Sequence, residues 1–126
     1  MHKFIQEHLK RGTIHISKSP YAANFFFVKK KDGKLRPVQD YQPINKWTKK
    51  NRNVSPLIPQ VIDCLSRCIK FTIVDICWGY NNIQIKEGDE GKATFLTHEG
   101  LFELMVMFFG LINSPATFQM AMNTIF

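Results

Sequence analysis

Asp75 closes the apolar run Phe71-Thr72-Ile73-Val74, and Trp78-Gly79-Tyr80 follows almost at once. An ionised carboxylate at the end of a buried strand is costly unless something positive meets it. Read from the residues alone, a strand-end Asp is more often structural than catalytic. Which positive group meets Asp75 the residues alone leave open. A second set of chemical residues lies upstream. Lys29, Lys30, Lys31, Lys34 and Arg36 crowd around Asp32-Gly33. Such crowding repels itself unless an anion lies among the cations or the site is well solvated.

The elements that must hold these residues follow from pattern. Residues 3–11 place Phe4, Ile5, His8 and Leu9 on one helical face, and Gly12 is a natural stop. Asp32-Gly33 between two mixed runs over 24–41 predicts a β-hairpin with the basic residues at its tip. Residues 42–60 read as irregular, because Pro43, Pro56 and Pro59 break any long element. Residues 60–68 read as a short amphipathic helix with Val61, Cys64, Leu65 and Cys68 on one side. Phe71–Cys77 reads as a strand, and 82–86 as a half-buried strand carrying Ile83 and Ile85. Residues 93–97 and 101–107 flank His98-Glu99-Gly100 as a second hairpin. Ser114 before Pro115 reads as N-cap and first helical residue of a last helix, with Phe118, Met122 and Ile125 on its apolar stripe. This order predicts an α+β fold with mostly antiparallel strands and packing helices.

Composition sets outer limits. The chain has 126 residues, 44% hydrophobic and 13% aromatic, which excludes a disordered chain. No apolar run reaches the roughly 20 residues of a membrane span, and the N-terminus lacks a signal pattern. The expectation is an intracellular chain with no membrane partner. Cys64, Cys68 and Cys77 are odd in number and lack companion ligands at zinc spacing, so they read as core thiols. The net charge of +7 is uneven. Residues 1–53 hold 13 Lys/Arg against 3 Asp/Glu, and residues 54–126 hold 4 against 7. A basic half beside an acidic half fits an anionic partner such as nucleic acid, or a merely solvated basic surface.

Five stretches in order resemble the reverse transcriptase of gypsy-type LTR retrotransposons. They are SPYAANFFFVKKKDGKLRPVQDY (19–41), Asn45 with TKKN (48–51), FTIVDICWGYNNIQIKEGDE (71–90), THEGLFE (97–103) and VMFFGLINSPATFQ (106–119). The resemblance implies the fingers and part of the palm of a right-hand polymerase. Fingers would span about 1–50 and 83–113, and palm about 51–82 and 114–126. It implies an RNA-directed DNA polymerase that adds dNTPs to a primer on an RNA or DNA template. Asp75 and the backbone carbonyl of Ile76 would then bind magnesium in a two-metal nucleotidyl transfer. Tyr80 would lie under the sugar of the incoming nucleotide and exclude a 2′-hydroxyl. Lys30 and Arg36 would hold the triphosphate, a point charge beside a planar fork. Phe109 and Gly110 would border the nucleotide pocket. Lys29, Lys31 and Lys34 would contact template or solvent, bound in a salt-sensitive, sequence-blind way. Asp40 reads as a structural partner of nearby basic groups, and Gln119 as scaffold.

The chain departs from the family pattern at four places. Gln42 and Pro43 follow Asp40-Tyr41 where an Arg is usual, Asn53-Val54-Ser55 replaces Tyr-Pro-Leu, and Gly91 stands in place of a Trp. No Tyr-x-Asp-Asp turn occurs among the 126 residues, nor do thumb or RNase H motifs. The expectations are that this chain alone does not polymerise, and that an open palm edge promotes self-association. The alternatives are a non-catalytic basic nucleic-acid-binding module and a translated transposon relic without function.

Overall fold

The computed structural model describes residues 1–52 and 57–126. Helix α1 (His2–Lys10) leads into strand β1 (Ile14–Ile16). Strands β2 (Ala23–Lys29) and β3 (Leu35–Asp40) form the basic hairpin. Helices α2 (Gln42–Trp47) and α3 (Ile58–Ser66) follow. After two short 3-10 turns, Gly79–Asn82 and Glu90–Ala93, come β4 (Thr94–Thr97), β5 (Gly100–Leu104) and α4 (Ser114–Ile125).

The five strands form one sheet in the order β1-β5-β4-β2-β3. Every neighbouring pair is antiparallel except β2 with β4, which run parallel. The α+β expectation with mostly antiparallel pairing therefore holds. One face of the sheet carries a row of rings. Phe25 of β2 lies 5.2 Å from Phe95 of β4, which lies 6.0 Å from Phe102 of β5, and Phe4 of α1 covers Phe25 at 5.5 Å. Ile5, Ile14, Tyr41 and Leu104 complete the buried centre. Tyr41 donates its hydroxyl to the Ala93 carbonyl at 3.2 Å, and burial pushes the phenol well above its ordinary pKa.

Helix α1 buries the predicted face, with Ile5 and His8 deepest. Gly12 follows at φ +70°, a conformation that ends a helix at little cost only for glycine. At the basic hairpin the ladder extends one step past Lys29, with the Lys30 N–H donating to the Lys34 carbonyl at 2.8 Å. Gly33 adopts φ +78°, and Asp32 Oδ1 accepts from the Lys34 N–H at 3.1 Å. The Asp-Gly pair thus does what the pattern required of it.

Several expectations are corrected. The stretch 42–60 is not irregular throughout: Pro43 sits in the first turn of α2, where its missing N–H would have no helical partner anyway. Phe71–Cys77 is not a strand. Among the described residues no strand pairs with it, and extended chain without a ladder gains no sheet structure. Residues 82–86 keep only one bridge, Gln84 to Val106, flanked by Ile85 N–H to Met105 O at 3.0 Å and Met107 N–H to Ile83 O at 2.8 Å. The three cysteines are exposed, not core thiols: α3, which carries Cys64, buries none of its residues, and Cys68 and Cys77 lie outside any helix or strand. Ser114 does not cap α4 with its side chain; its hydroxyl donates to the Phe108 carbonyl at 3.2 Å. The replacement at 53–55 lies outside the described residues. No helix among the described residues is long and apolar enough to cross a membrane.

Candidate functional site

Asp75 is exposed, in a segment without regular structure that leads into a tight turn. Trp78 holds that turn in the left-handed region at φ 57° and ψ 39°. A bulky side chain seldom adopts this backbone, and such strain collects where a turn must aim its neighbours. The turn is held by Asn81 N–H to Trp78 O at 2.8 Å and Asn82 Nδ2 to Cys77 O at 3.2 Å. From below, the α1 residue His8 meets the Trp78 ring edge-on at 6.2 Å, and the Arg11 guanidinium lies 5.7 Å from the same ring.

The turn passes directly into Gly79–Asn82, which rests on α4. A Cβ on Gly79 would stand 3.1 Å from the Phe118 ring, so a larger residue would require that ring to shift. The next residue, Tyr80, stacks edge-to-face on Phe118 at 5.4 Å and on Phe109 at 5.0 Å. The Arg36 guanidinium in turn lies 4.8 Å from the Phe109 ring centroid. A continuous stack therefore runs Arg36, Phe109, Tyr80, Phe118, from the basic hairpin across to the helix behind the Asp75 turn. Gly110 adopts φ +101°, and a Cβ there would meet Tyr41 at 3.3 Å and the Gln39 carbonyl at 3.4 Å. Glycine thus lets the 109–110 turn close onto the sheet and present Phe109 outward.

The structure brings Arg36, Tyr80, Phe109 and Gly110 together. Lys30 shares the β2 face that holds Val28, the register partner of Arg36, but stands at the exposed tip. Lys29, Lys31 and Lys34 surround it, also exposed. Asp40 is corrected: it is not a charge partner of basic groups but accepts the Gln42 N–H at 3.0 Å, fixing the start of α2. Two contributors went unassigned in the sequence. Phe118 had no role in the site there and is the second ring against Tyr80. Asn45 clamps the loop after Phe109, donating to Gly110 O at 2.7 Å and accepting the Ile112 N–H at 3.0 Å. Asn45 stood out in the sequence only as one of the residues that carry the family resemblance. Gly91, where a Trp was expected, offers its carbonyl to the Ser19 and Thr94 hydroxyls at 2.7 and 2.8 Å.

Among the described residues no group of three His, Cys, Asp or Glu could hold a metal ion. Asp75 and the Ile76 carbonyl are one carboxylate and one neutral oxygen, too few donors to order two magnesium ions. The described residues by themselves do not fit the expected metal pair.

Residues 28–126 match the family model described as "Reverse transcriptase (RNA-dependent DNA polymerase)". The chain belongs to the reverse transcriptase family. The Transposon Tf2-3 polyprotein of Schizosaccharomyces pombe is 41% identical over 125 residues, covering 99% of this chain and 9% of the relative. The Transposon Tf2-7 polyprotein of the same organism is similar to the same extent. This reverse transcriptase chain thus spans about a tenth of the length of those polyproteins. Among solved structures, a foamy viral protease-reverse transcriptase in complex with double-stranded DNA aligns with a TM-score of 0.80 and 22% identity. That alignment covers 96% of this chain and 21% of the foamy viral one. A second foamy viral structure, with an RNA/DNA hybrid, gives a TM-score of 0.78 at 19% identity, covering 96% and 16%. Both support a right-hand polymerase fold for this reverse transcriptase chain.

Proposed function

We propose that these 126 residues are the fingers and part of the palm of a gypsy-type retrotransposon RNA-directed DNA polymerase. Fingers span about 1–50 and 83–113, and palm about 51–82 and 114–126. The observation that carries this reading is the stack Arg36-Phe109-Tyr80, which joins the basic hairpin to the Asp75 turn. A cation, an exposed ring and a tyrosine at one junction suit a triphosphate, a sugar and a base. Arg36 and Lys30 hold the triphosphate of an incoming dNTP. Tyr80 and Phe109 bound its sugar. Lys29, Lys31 and Lys34 contact the template-primer, in line with the nucleic acids in the foamy viral structures. Asp75 and the Ile76 carbonyl supply one carboxylate and one carbonyl to a magnesium site whose further carboxylates are not among these residues.

Two outcomes follow for the purified chain. It binds an RNA/DNA template-primer, and changing Lys29, Lys30 and Lys31 to Ala makes the salt dependence shallower, by roughly 0.9 in slope for each phosphate no longer held. It extends no primer, because a single carboxylate cannot order two metals. Extension abolished by Asp75→Asn would overturn the second point; salt-insensitive or absent binding would overturn the first. The exposed lysine tip also favours a second reading, a non-catalytic nucleic-acid-binding module. That reading requires that Arg36→Ala leave dNTP-dependent stabilisation of the template-primer complex unchanged.

A further inference from the structure

We propose that the groove between α2 and the start of β2 is a stacking platform for single-stranded nucleic acid. The proposal rests on the nucleic-acid function and adds a surface which that function has not so far used. The groove encloses about 850 Å3, within the range of about 300–1,000 Å3 typical of ligand sites. Two aromatic rings line it and face water: Trp47 is 92% exposed and Tyr21 69% exposed. The backbone of each is anchored. Trp47 is the last residue of α2. The Tyr21 N–H donates to Ser19 Oγ at 3.2 Å, and Ser19 Oγ donates to Gly91 O at 2.7 Å. Ile44, Tyr41 and Thr94 line the groove with them.

Charge decides the class of occupant. Trp47 sits inside the run Lys46-Trp47-Thr48-Lys49-Lys50-Asn51-Arg52. Its four cations are exposed, and none joins the ion pairs His2–Glu99, Glu7–Arg11, Asp89–Lys92 and His98–Glu99. The two acids of the groove are already engaged: Asp89 holds Lys92 at 2.6 Å, and Asp40 accepts the Gln42 N–H. Lys49 lines the groove itself, and Lys46, Lys50 and Arg52 flank Trp47 along the chain; exposed rings beside exposed cations suit bases that stack and phosphates that alternate with them. Every base offers a π-face, so the platform reads no sequence. A paired duplex keeps its bases inside, which makes the strand unpaired. The groove shares no residue with the Arg36-Phe109-Tyr80 stack. Tyr41 lies between them, lining the groove while its ring packs near Gly110.

The test is fluorescence anisotropy of the 126-residue chain with a labelled 15-mer of deoxythymidine and with a blunt hairpin duplex. Trp47→Ala and Tyr21→Ala each weaken binding of the 15-mer by about five- to 150-fold, the range of one unstacked base. Duplex binding is unchanged, and Trp47→Phe, which keeps a ring, restores most of the loss. Changing Lys49 and Lys50 to Ala makes the salt slope shallower by about 0.7 for each phosphate no longer held. Both aromatic side chains are exposed, so the variants keep the wild-type melt. If the wild type binds the 15-mer and Trp47→Ala binds it equally well, the platform is wrong and the nucleic-acid function survives. If the wild type binds neither probe at low salt, both fall together.

Discussion

Gly110 is where a single residue sets the shape of the site. Its φ of +101° strains any side chain, and a Cβ would press on Tyr41 at 3.3 Å and on the Gln39 carbonyl at 3.4 Å. Gly110→Ala should cost about 1–3 kcal/mol, read as a lower midpoint in urea at unchanged slope. Beside it, Gln39 is 5% exposed and its Nε2 has no hydrogen-bond partner among the described residues. A buried amide donor left unpaired costs about 1–3 kcal/mol. Gln39→Met keeps the length and removes the donor, so it should raise the melting temperature by several degrees. A lower melting temperature would mean that Nε2 has a partner in solution. At this scale a grouping of residues was legible, though not its role. Arg36, Tyr80, Phe109 and Gly110 sit in separate stretches that carry the family resemblance, and the fold does bring them to one place. Phe118 and Asn45 were not legible as site residues, because their contacts reach back to Tyr80 and forward to Gly110, across the fold.

Helix α1 supports the Asp75 turn through one titratable residue. His8 is 2% exposed, its Nδ1 lies 2.7 Å from Thr13 Oγ1, and its ring meets Phe4, Phe108 and Trp78. Burial first, and then the Arg11 charge, hold its pKa below the ordinary 6.5, while Glu7 opposes them. The fold therefore prefers the neutral ring, and the unfolded chain takes up the proton first. Stability from this residue is complete above about pH 6.5 and is lost as pH falls below it. Thermal melts at pH 7.5, 6.5 and 5.5 should show a falling midpoint, and His8→Phe should flatten that fall. An identical slope in the variant would move the pH dependence elsewhere. Among the elements, local signals were read correctly and non-local ones were not. Asp32-Gly33 and the face of α1 are short-range patterns. Proline over-ruled α2 because a breaker and a first-turn residue look alike without the chain around them. The Phe71–Cys77 run has β-branched residues, yet strandness belongs to a pair, and no described partner lies beside it.

The surface of the whole chain is too large for its mass. A compact monomer of 14.7 kDa exposes roughly 6,900 Å2, against 9,990 Å2 here. Apolar residues account for a visible part of the excess. Ile58, Val61, Ile62 and Leu65 of α3 are exposed, and so are Ile69, Phe71, Ile73 and Val74 just after it. Helix α3 buries no residue although Val61 and Leu65 share one stripe, so its amphipathic pattern is written for a surface that these elements do not supply. Exposed apolar residues gathered in one stretch of chain mark an interface. For the 126-residue chain by itself, the available cover is a second copy, and the apolar segment 69–74, which joins no ladder among the described residues, is the natural place for it to pair. At tens of micromolar the chain should sediment as a dimer or larger species. Ile62→Lys with Ile73→Lys should return it to 14.7 kDa, since neither side chain contributes to the buried centre and charge on both would oppose pairing. A wild-type chain that sediments as a monomer and melts cooperatively would show that α3 and residues 69–74 fold back onto the sheet instead. The double variant would then lose melting temperature without changing mass.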